Sequence, residues 1–151
     1  MSALLKIWMA AAGAVGFALL FGVRGKKLFW IAGGGAVGYG AYALFLEMGQ
    51  GVFSALLLAT LLTALLSEAL ARLQKAPVLL FLVPMLIPLI PGGDLYYAMY
   101  SFVRGEGAVF GVRVQLVLSE AAAIALGILC TASGVNVCRK ILHGVWRRPF
   151  F

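Results

Sequence analysis

The chain has 151 residues, 64% of them hydrophobic, and carries 12 Lys or Arg against 5 Asp or Glu, for a formal net charge of +7. Soluble domains run at about 45–50% apolar and about 25% charged, so a charged fraction of 11% leaves too few charges to wet a globular surface and excludes an ordinary soluble enzyme. Intrinsic disorder is excluded too, because it needs low hydrophobicity and high charge.

The spacing of the charges gives the class. Uncharged windows of 17, 19, 20, 18 and 18 residues run over 7–23, 28–46, 48–67, 76–93 and 121–138. A bilayer core needs roughly 20 helical residues, with a workable range of about 17–25. Backbone amides in lipid must be satisfied internally, so these windows read as helices. The alternation of a transmembrane β-barrel is absent. The expected fold is an all-α integral membrane domain of five transmembrane helices in one unit, 1–151.

The first span is expected at 4–23. It is as long as a full span and lacks the basic segment and short apolar region of a cleaved signal peptide. Ala12 and Gly16 form a small-xxx-small pair. Arg24, Lys26 and Lys27 follow in the first loop. The second span, 28–46, holds Gly33, Gly34, Gly35, Gly38 and Gly40. Gly34 and Gly38 make a GxxxG pair, which in lipid lets helix backbones approach closely. That face serves packing within the bundle or a partner. Trp8, Trp30 and Trp146 fall near the span ends, where amphipathic rings belong.

The third span, 52–70, places Thr60, Thr63 and Ser67 near one helical face. Their hydroxyls either bond back to their own helix or wall a polar path. Glu68 is spaced to pair with Arg72 at i,i+4.

The fourth segment, 77–91, is the most informative. Pro84, Pro88 and Pro91 fall within eight residues. An interior proline deletes a backbone hydrogen bond and clashes with the preceding turn, at about 3 kcal/mol. Gly92-Gly93 then frees the chain to turn. Asp94 is expected to cap a new short helix at 95–104, with Tyr96 and Tyr100 on one face and Tyr97 beside them. Irregular backbone at membrane depth survives only inside protein or along a watery cavity. Broken helices of this kind form substrate sites in transporters, where half-helix N-termini face anionic groups. The alternative is a re-entrant kink that only shapes the bundle.

The last span, expected at 108–133, contains Arg113 and Glu120 on similar faces. Arg113 can snorkel from the outer end. Glu120 reads either as a proton or charge relay or as an interfacial, ion-paired carboxylate. Cys130 and Cys138 are expected as buried small hydrophobes. His143 stands alone in a basic tail, 139–151, that is expected to meet lipid headgroups.

With five spans, the first loop, the third loop and the tail share a side. That side collects Arg24, Lys26, Lys27, Arg72, Lys75, Arg139, Lys140, Arg147 and Arg148, and the positive-inside rule places it in the cytoplasm. The expected orientation is N-terminus out and C-terminus in. The basic residues flank spans instead of forming one patch, which argues against nucleic acid. No GxxxxGK[ST], HExxH, GxSxG or paired-Cys signature occurs, so no catalytic residue, metal or cofactor is expected.

At the proline segment the sequence resembles the threonine/serine exporter family, specifically the small subunit of its split, two-protein form. The matching stretch is 77–99, above all Pro88-Leu-Ile-Pro91-Gly92 followed by Tyr96, Ala98 and Met99. Gly13-Ala-Val-Gly-Phe-Ala-Leu-Leu-Phe and Gly38-Tyr-Gly match as well. Gly93-Asp94 stands where relatives vary, and Glu120 lies outside the matched motif. The resemblance implies a secondary exporter of small hydroxy amino acids in the bacterial inner membrane, acting with a larger five-span partner. Some two-subunit relatives are linked to dicarboxylates such as succinate. An odd span number lets two related halves insert with opposite orientation, as in inverted-repeat transporters. A lone half would expose its glycine face and broken helix to lipid, which argues for the partner independently.

The expected substrate contacts are Pro88, Pro91, Gly92, Gly93, Asp94, Tyr96 and Tyr100. The expected mechanism is alternating access driven by an ion gradient. The rival reading, from another class, is a non-transporting membrane scaffold that stabilises a partner.

Overall fold

The computed structural model describes the backbone of residues 3–146 and the side chains of residues 4–138. The side chains of Arg139, Lys140, His143 and Trp146, and all of Arg147 and Arg148, lie outside the described residues, as does most of the expected basic tail. Among the described residues every regular element is helical. They are α1 (Ala3–Leu20), α2 (Lys27–Glu47), α3 (Val52–Leu73), α4 (Leu79–Leu86), a 3-10 turn (Ile87–Leu89), α5 (Gly92–Val103) and α6 (Gly107–Trp146). Three of these are long and apolar enough to cross a membrane: Lys27–Glu47, Val52–Leu73 and Gly107–Cys138. The pair Leu79–Leu89 and Gly92–Val103, bent by 53°, makes a fourth such unit, and α1 is apolar but shorter.

Four helices stop by the same backbone device. At the end of α1 the Val23 amide donates to Ala18 O at 2.9 Å and the Gly22 amide to Leu19 O at 3.0 Å. This is the paired 6→1 and 5→2 closure that satisfies orphan carbonyls when the C′ residue is left-handed. Gly22, Gly49 and Gly105 supply that conformation after α1, α2 and α5, with φ between +74° and +82°. After α3 the C′ position is Lys75, at φ 47°, with the Ala76 amide on Ala71 O at 3.0 Å.

The glycines of α2 are used inside the bundle. A Cβ on Gly34 would overlap the Met85 thioether of α4, and one on Gly35 would stand 2.7 Å from Ala14 Cβ of α1. Gly38 is closed by the Thr63 hydroxyl of α3. The stripe of α1 that packs is Ala10, Ala14 and Ala18, all buried; Gly16 of the expected small-xxx-small pair faces open space. Small side chains at four-residue spacing let α1 and α2 approach where lipid offers no hydrophobic drive. Gly127 does the same for α6, where a Cβ would lie 2.8 Å from Thr60 Cγ2 and 3.3 Å from Leu57 O.

α4 and the 3-10 turn sit among α1, α2 and α3, whereas α5 packs on α6 and α6 packs on α3. Phe81 and Met85 join α4 to one cluster with Ile31, Ala14 and Leu70. Leu82, Leu86 and Leu89 join it to another with Leu56, Ala59 and Ala123.

Several expectations are corrected. Pro84 does not break the chain but lies within α4, fully buried. It removes one amide donor from a helix of 8 residues, and full burial of its ring offsets that loss. The break falls at Ile90 and Pro91, past Pro88. Asp94 is not the cap of α5: the cap is Pro91, whose carbonyl takes the first helical bond from Leu95 at 3.1 Å. α6 has 40 residues and continues through the expected start of the tail. At 1.5 Å per residue it is about 60 Å long, twice a hydrocarbon core of about 30 Å. Cys130 and Cys138 are exposed on this chain instead of buried.

Two outcomes follow. Gly38→Leu and Gly127→Val each insert volume where a helix backbone abuts its neighbour, and should lower stability by about 1–3 kcal/mol. Gly16→Leu, in open space, should cost little in the same detergent melting assay. Lys75→Gly relieves the left-handed penalty at the end of α3 and should raise stability by about 1 kcal/mol.

Candidate functional site

Pro88 and Pro91 carry no amide hydrogen, so the two bonds that would have tied α5 to α4 are missing. The chain closes instead with the Ile90 amide on Ile87 O at 3.2 Å and the Gly92 amide on Ile90 O at 2.7 Å. α5 therefore begins afresh, and the first-turn amides of Gly93 and Asp94 precede its first helical bond. Gly92 and Gly93 are exposed, and a Cβ at either would meet nothing within 4 Å. No neighbour demands glycine there. The missing side chains leave the start of the helix open.

Asp94 stands in the first turn of α5, where a carboxylate complements the helix dipole. Its Oδ1 accepts from Arg113 Nη1 of α6 at 3.2 Å, and both side chains are partly exposed. The Arg113 guanidinium also lies over the Tyr97 ring, 5.4 Å from its centroid. Tyr96 stacks on Tyr100 at 6.4 Å and meets Tyr97 edge-on at 5.5 Å. Arg104 covers Tyr100 at 4.8 Å. α5 thus turns Ala98 and Ser101 inward and leaves its tyrosines, Leu95, Met99 and Phe102 exposed.

Of the residues expected to form a site, the structure brings Gly92, Gly93 and Asp94 together at the start of α5, with Tyr96 and Tyr100 one and two turns on. Pro88 lies on the other side of the joint. It lines a cavity of about 310 Å³ with Lys6, Met9, Ala10 and Tyr39. Arg113, Lys6 and Tyr39 were not expected there. Arg113 is legible in retrospect as a cation inside an apolar segment, and Lys6 as the lone charge in the first turn of α1. Their partners depend on helix packing.

Glu120 lies two turns beyond Arg113 on α6 and is only 4% exposed. Its Oε2 is fully buried without a hydrogen-bond partner, as is Thr60 Oγ1 of α3. The Tyr42 phenol of α2 and the Asp94 carboxylate lie near enough to Glu120 to interact with it electrostatically. The other α3 hydroxyls are turned onto their own helix: Thr63 Oγ1 donates to Ala59 O at 2.8 Å and Ser67 Oγ to Thr63 O at 2.9 Å. They form no polar wall. Glu68 and Arg72 pair at 3.0 Å, as their spacing predicts. Beside them a mostly apolar groove of about 720 Å³ runs between α3 and the far half of α6. Among the described residues no group of three His, Cys, Asp or Glu could hold a metal ion.

No solved structure matches the chain. A family model described as Threonine/Serine exporter, ThrE, matches residues 6–133, from the first turn of α1 to beyond the middle of α6, and the chain belongs to that family.

Proposed function

We propose that this chain is one subunit of a secondary exporter for small amino acids of the threonine or serine kind, acting with a larger five-span partner by alternating access. Family membership makes it an exporter-type membrane transporter rather than an enzyme. In this reading it has five spans, N-terminus out and C-terminus in, and forms half of an inverted repeat in a bacterial inner membrane. α1, α2 and α3 are three of the spans, α4 to α5 the fourth and α6 the fifth. The basic loops at Arg24, Lys26, Lys27, Arg72 and Lys75 support that orientation.

The observation that carries the reading is the joint at Ile90–Pro91. It ends one apolar helix and starts another at 53° to it, with first-turn amides and an open glycine pair at the start. A helix N-terminus presents partial positive charge, so the carboxylate of a small solute is drawn to Gly92 and Gly93. Tyr96 and Tyr100 close the site with hydroxyls and ring faces. Pro88 and Pro91 hold the joint open by denying it amide donors.

The uncovered face of α5 supports a partner subunit. Tyr96, Met99 and Val103 are 54–81% exposed on a helix whose main packing, among the described residues, is against α6. Tyrosine hydroxyls have no water to meet in lipid, so a protein neighbour satisfies this face better than acyl chains do.

Glu120 couples the cycle to an ion gradient. An intramembrane carboxylate is expensive and marks a functional path by default. Here the buried, unpartnered Oε2 leaves one acceptor for a proton.

In cells that express the chain with the larger family member of the same genome, Gly92→Ala with Gly93→Ala should reduce threonine efflux at least about tenfold, about 1.4 kcal/mol in rate terms. The variant should melt no lower than the parent, because alanine fits both positions. Unchanged efflux would remove the joint from the substrate path. With internal pH held constant, acidifying the outside should speed efflux by the parent, since a proton entering on Glu120 accompanies substrate leaving. Glu120→Gln should abolish that response; a variant that still follows external pH as the parent does would exclude Glu120 as the relay.

A further inference from the structure

We propose that the groove between α3 and the far half of α6 seats one anionic phospholipid, with an acyl chain along its apolar walls and the headgroup phosphate on Arg72 and Lys75. The seat is separate from the joint and does not depend on which solute the chain carries.

The length of the groove selects a lipid over a helix. α3 has 22 residues, about 33 Å at 1.5 Å per residue, which matches a hydrocarbon core of about 30 Å. The groove follows only its second half, from Leu61 to Arg72. That stretch covers about 16 Å, the depth of one leaflet if the core is about 30 Å. Before Leu61 the seam between the two helices is shut, since a Cβ on Gly127 would lie 2.8 Å from Thr60 Cγ2. A helix that crosses the whole bilayer cannot lie in a groove that ends at mid-depth. A lipid can, because it occupies one leaflet.

The walls suit an acyl chain. Leu61, Leu65 and Ala69 of α3 and Cys130, Gly134 and Val135 of α6 line a space of about 720 Å³. The Thr131 hydroxyl between them is spent on its own helix, donating to Gly127 O at 3.0 Å. A Cβ on Gly134 would meet nothing within 4 Å, so among the described residues nothing packs into that part of the groove.

The charge lies at the mouth. Arg72 Nε and Nη2 both donate to Glu68 Oε1, at 3.3 and 3.0 Å. One carboxylate oxygen takes both bonds, Nη1 stays outside the pair, and Arg72 is 60% exposed. Arg72 cancels the charge of Glu68, and exposed Lys75 follows within a turn. In the sequence Arg139 and Lys140 come directly after Cys138, the last residue of the groove. The balance at this end is positive, and basic groups at a membrane surface attract anionic headgroups.

Lys75 is an independent sign of use. The helix ends after α1, α2 and α5 place glycine in the left-handed position, whereas α3 places Lys75 there at φ 47°. A side chain in that conformation is strained where glycine would not be. Strain kept at one helix end of four points to a task for the ammonium it carries.

The native thiol of Cys130, exposed in the groove, reports occupancy. The full chain is purified in detergent and stripped of lipid. Dioleoyl phosphatidylglycerol, at a few times its Kd, should then slow N-ethylmaleimide labelling of Cys130 about fivefold by mass action and raise the melting temperature. Phosphatidylcholine with the same chains should do much less. Arg72→Gln with Lys75→Gly should lose the preference for phosphatidylglycerol without melting lower in lipid-free detergent. Gly134→Phe, which fills the groove where there is room, should keep the lipid-free melting temperature and lose the shift that phosphatidylglycerol produces. Absent or equal protection by the two lipids, or a preference that survives in the double variant, overturns the headgroup seat. A melting shift that survives Gly134→Phe puts the lipid elsewhere and overturns the groove. If Cys130 reacts in the chain alone but is already shielded, without lipid, in the complex with the larger family member, a protein segment fills the groove and the proposal is wrong.

Discussion

A proline has no amide hydrogen to donate, and two of them three residues apart at Pro88 and Pro91 remove the donors that would have fused α4 and α5 into one rod. In water such a gap would be filled by solvent. In an apolar bundle the freed carbonyls and amides must find protein partners or line a polar space. The chain answers with a 3-10 turn and a tight closure at Gly92, and the direction of the helix changes by 53° across it.

The change of direction sorts the bundle. Before the joint, α4 is wedged between α1, α2 and α3 and its side chains are largely buried. After it, α5 leaves that group and lies along α6. The glycines and alanines of α1 and α2 make the first arrangement possible, since α4 reaches its seat only where Gly34 leaves room for Met85. The second arrangement brings Asp94 to Arg113, sets Tyr97 under the guanidinium and leaves the aromatic face of α5 uncovered. Both the proposed substrate site and the proposed partner surface are therefore consequences of one interruption in backbone hydrogen bonding.

A transporter site needs polar groups where the surroundings are apolar, and the structure holds a small number of them. Thr63 and Ser67 are quenched on their own helix. Glu120 and Thr60 are not, and the α3–α6 seam that buries them is tight enough to require Gly127. In the proposed cycle this unquenched carboxylate is the group that answers to an ion, a role that a purely structural kink would not call for.

Much of this was written in the sequence. Charge spacing marked apolar segments, because a bilayer demands uninterrupted runs of a fixed length, and the structure makes them helices, three long enough to cross a membrane and a bent pair a fourth. The cluster Pro88, Pro91, Gly92 and Gly93 fixed the interruption, because proline and glycine act through the local backbone whatever surrounds them. The i,i+4 pair Glu68–Arg72 was legible for the same local reason. Pro84 was misread as part of the break because its burial within α4 outweighed a local rule, and Asp94 was misread as a cap because the start of α5 is set by the last proline. What only the tertiary structure decided are the meetings of residues far apart in the chain: Asp94 with Arg113, Gly127 with Thr60, Gly34 with Met85. Each depends on the relative rotation and offset of two helices, and those follow from how small and large side chains interlock across the whole bundle.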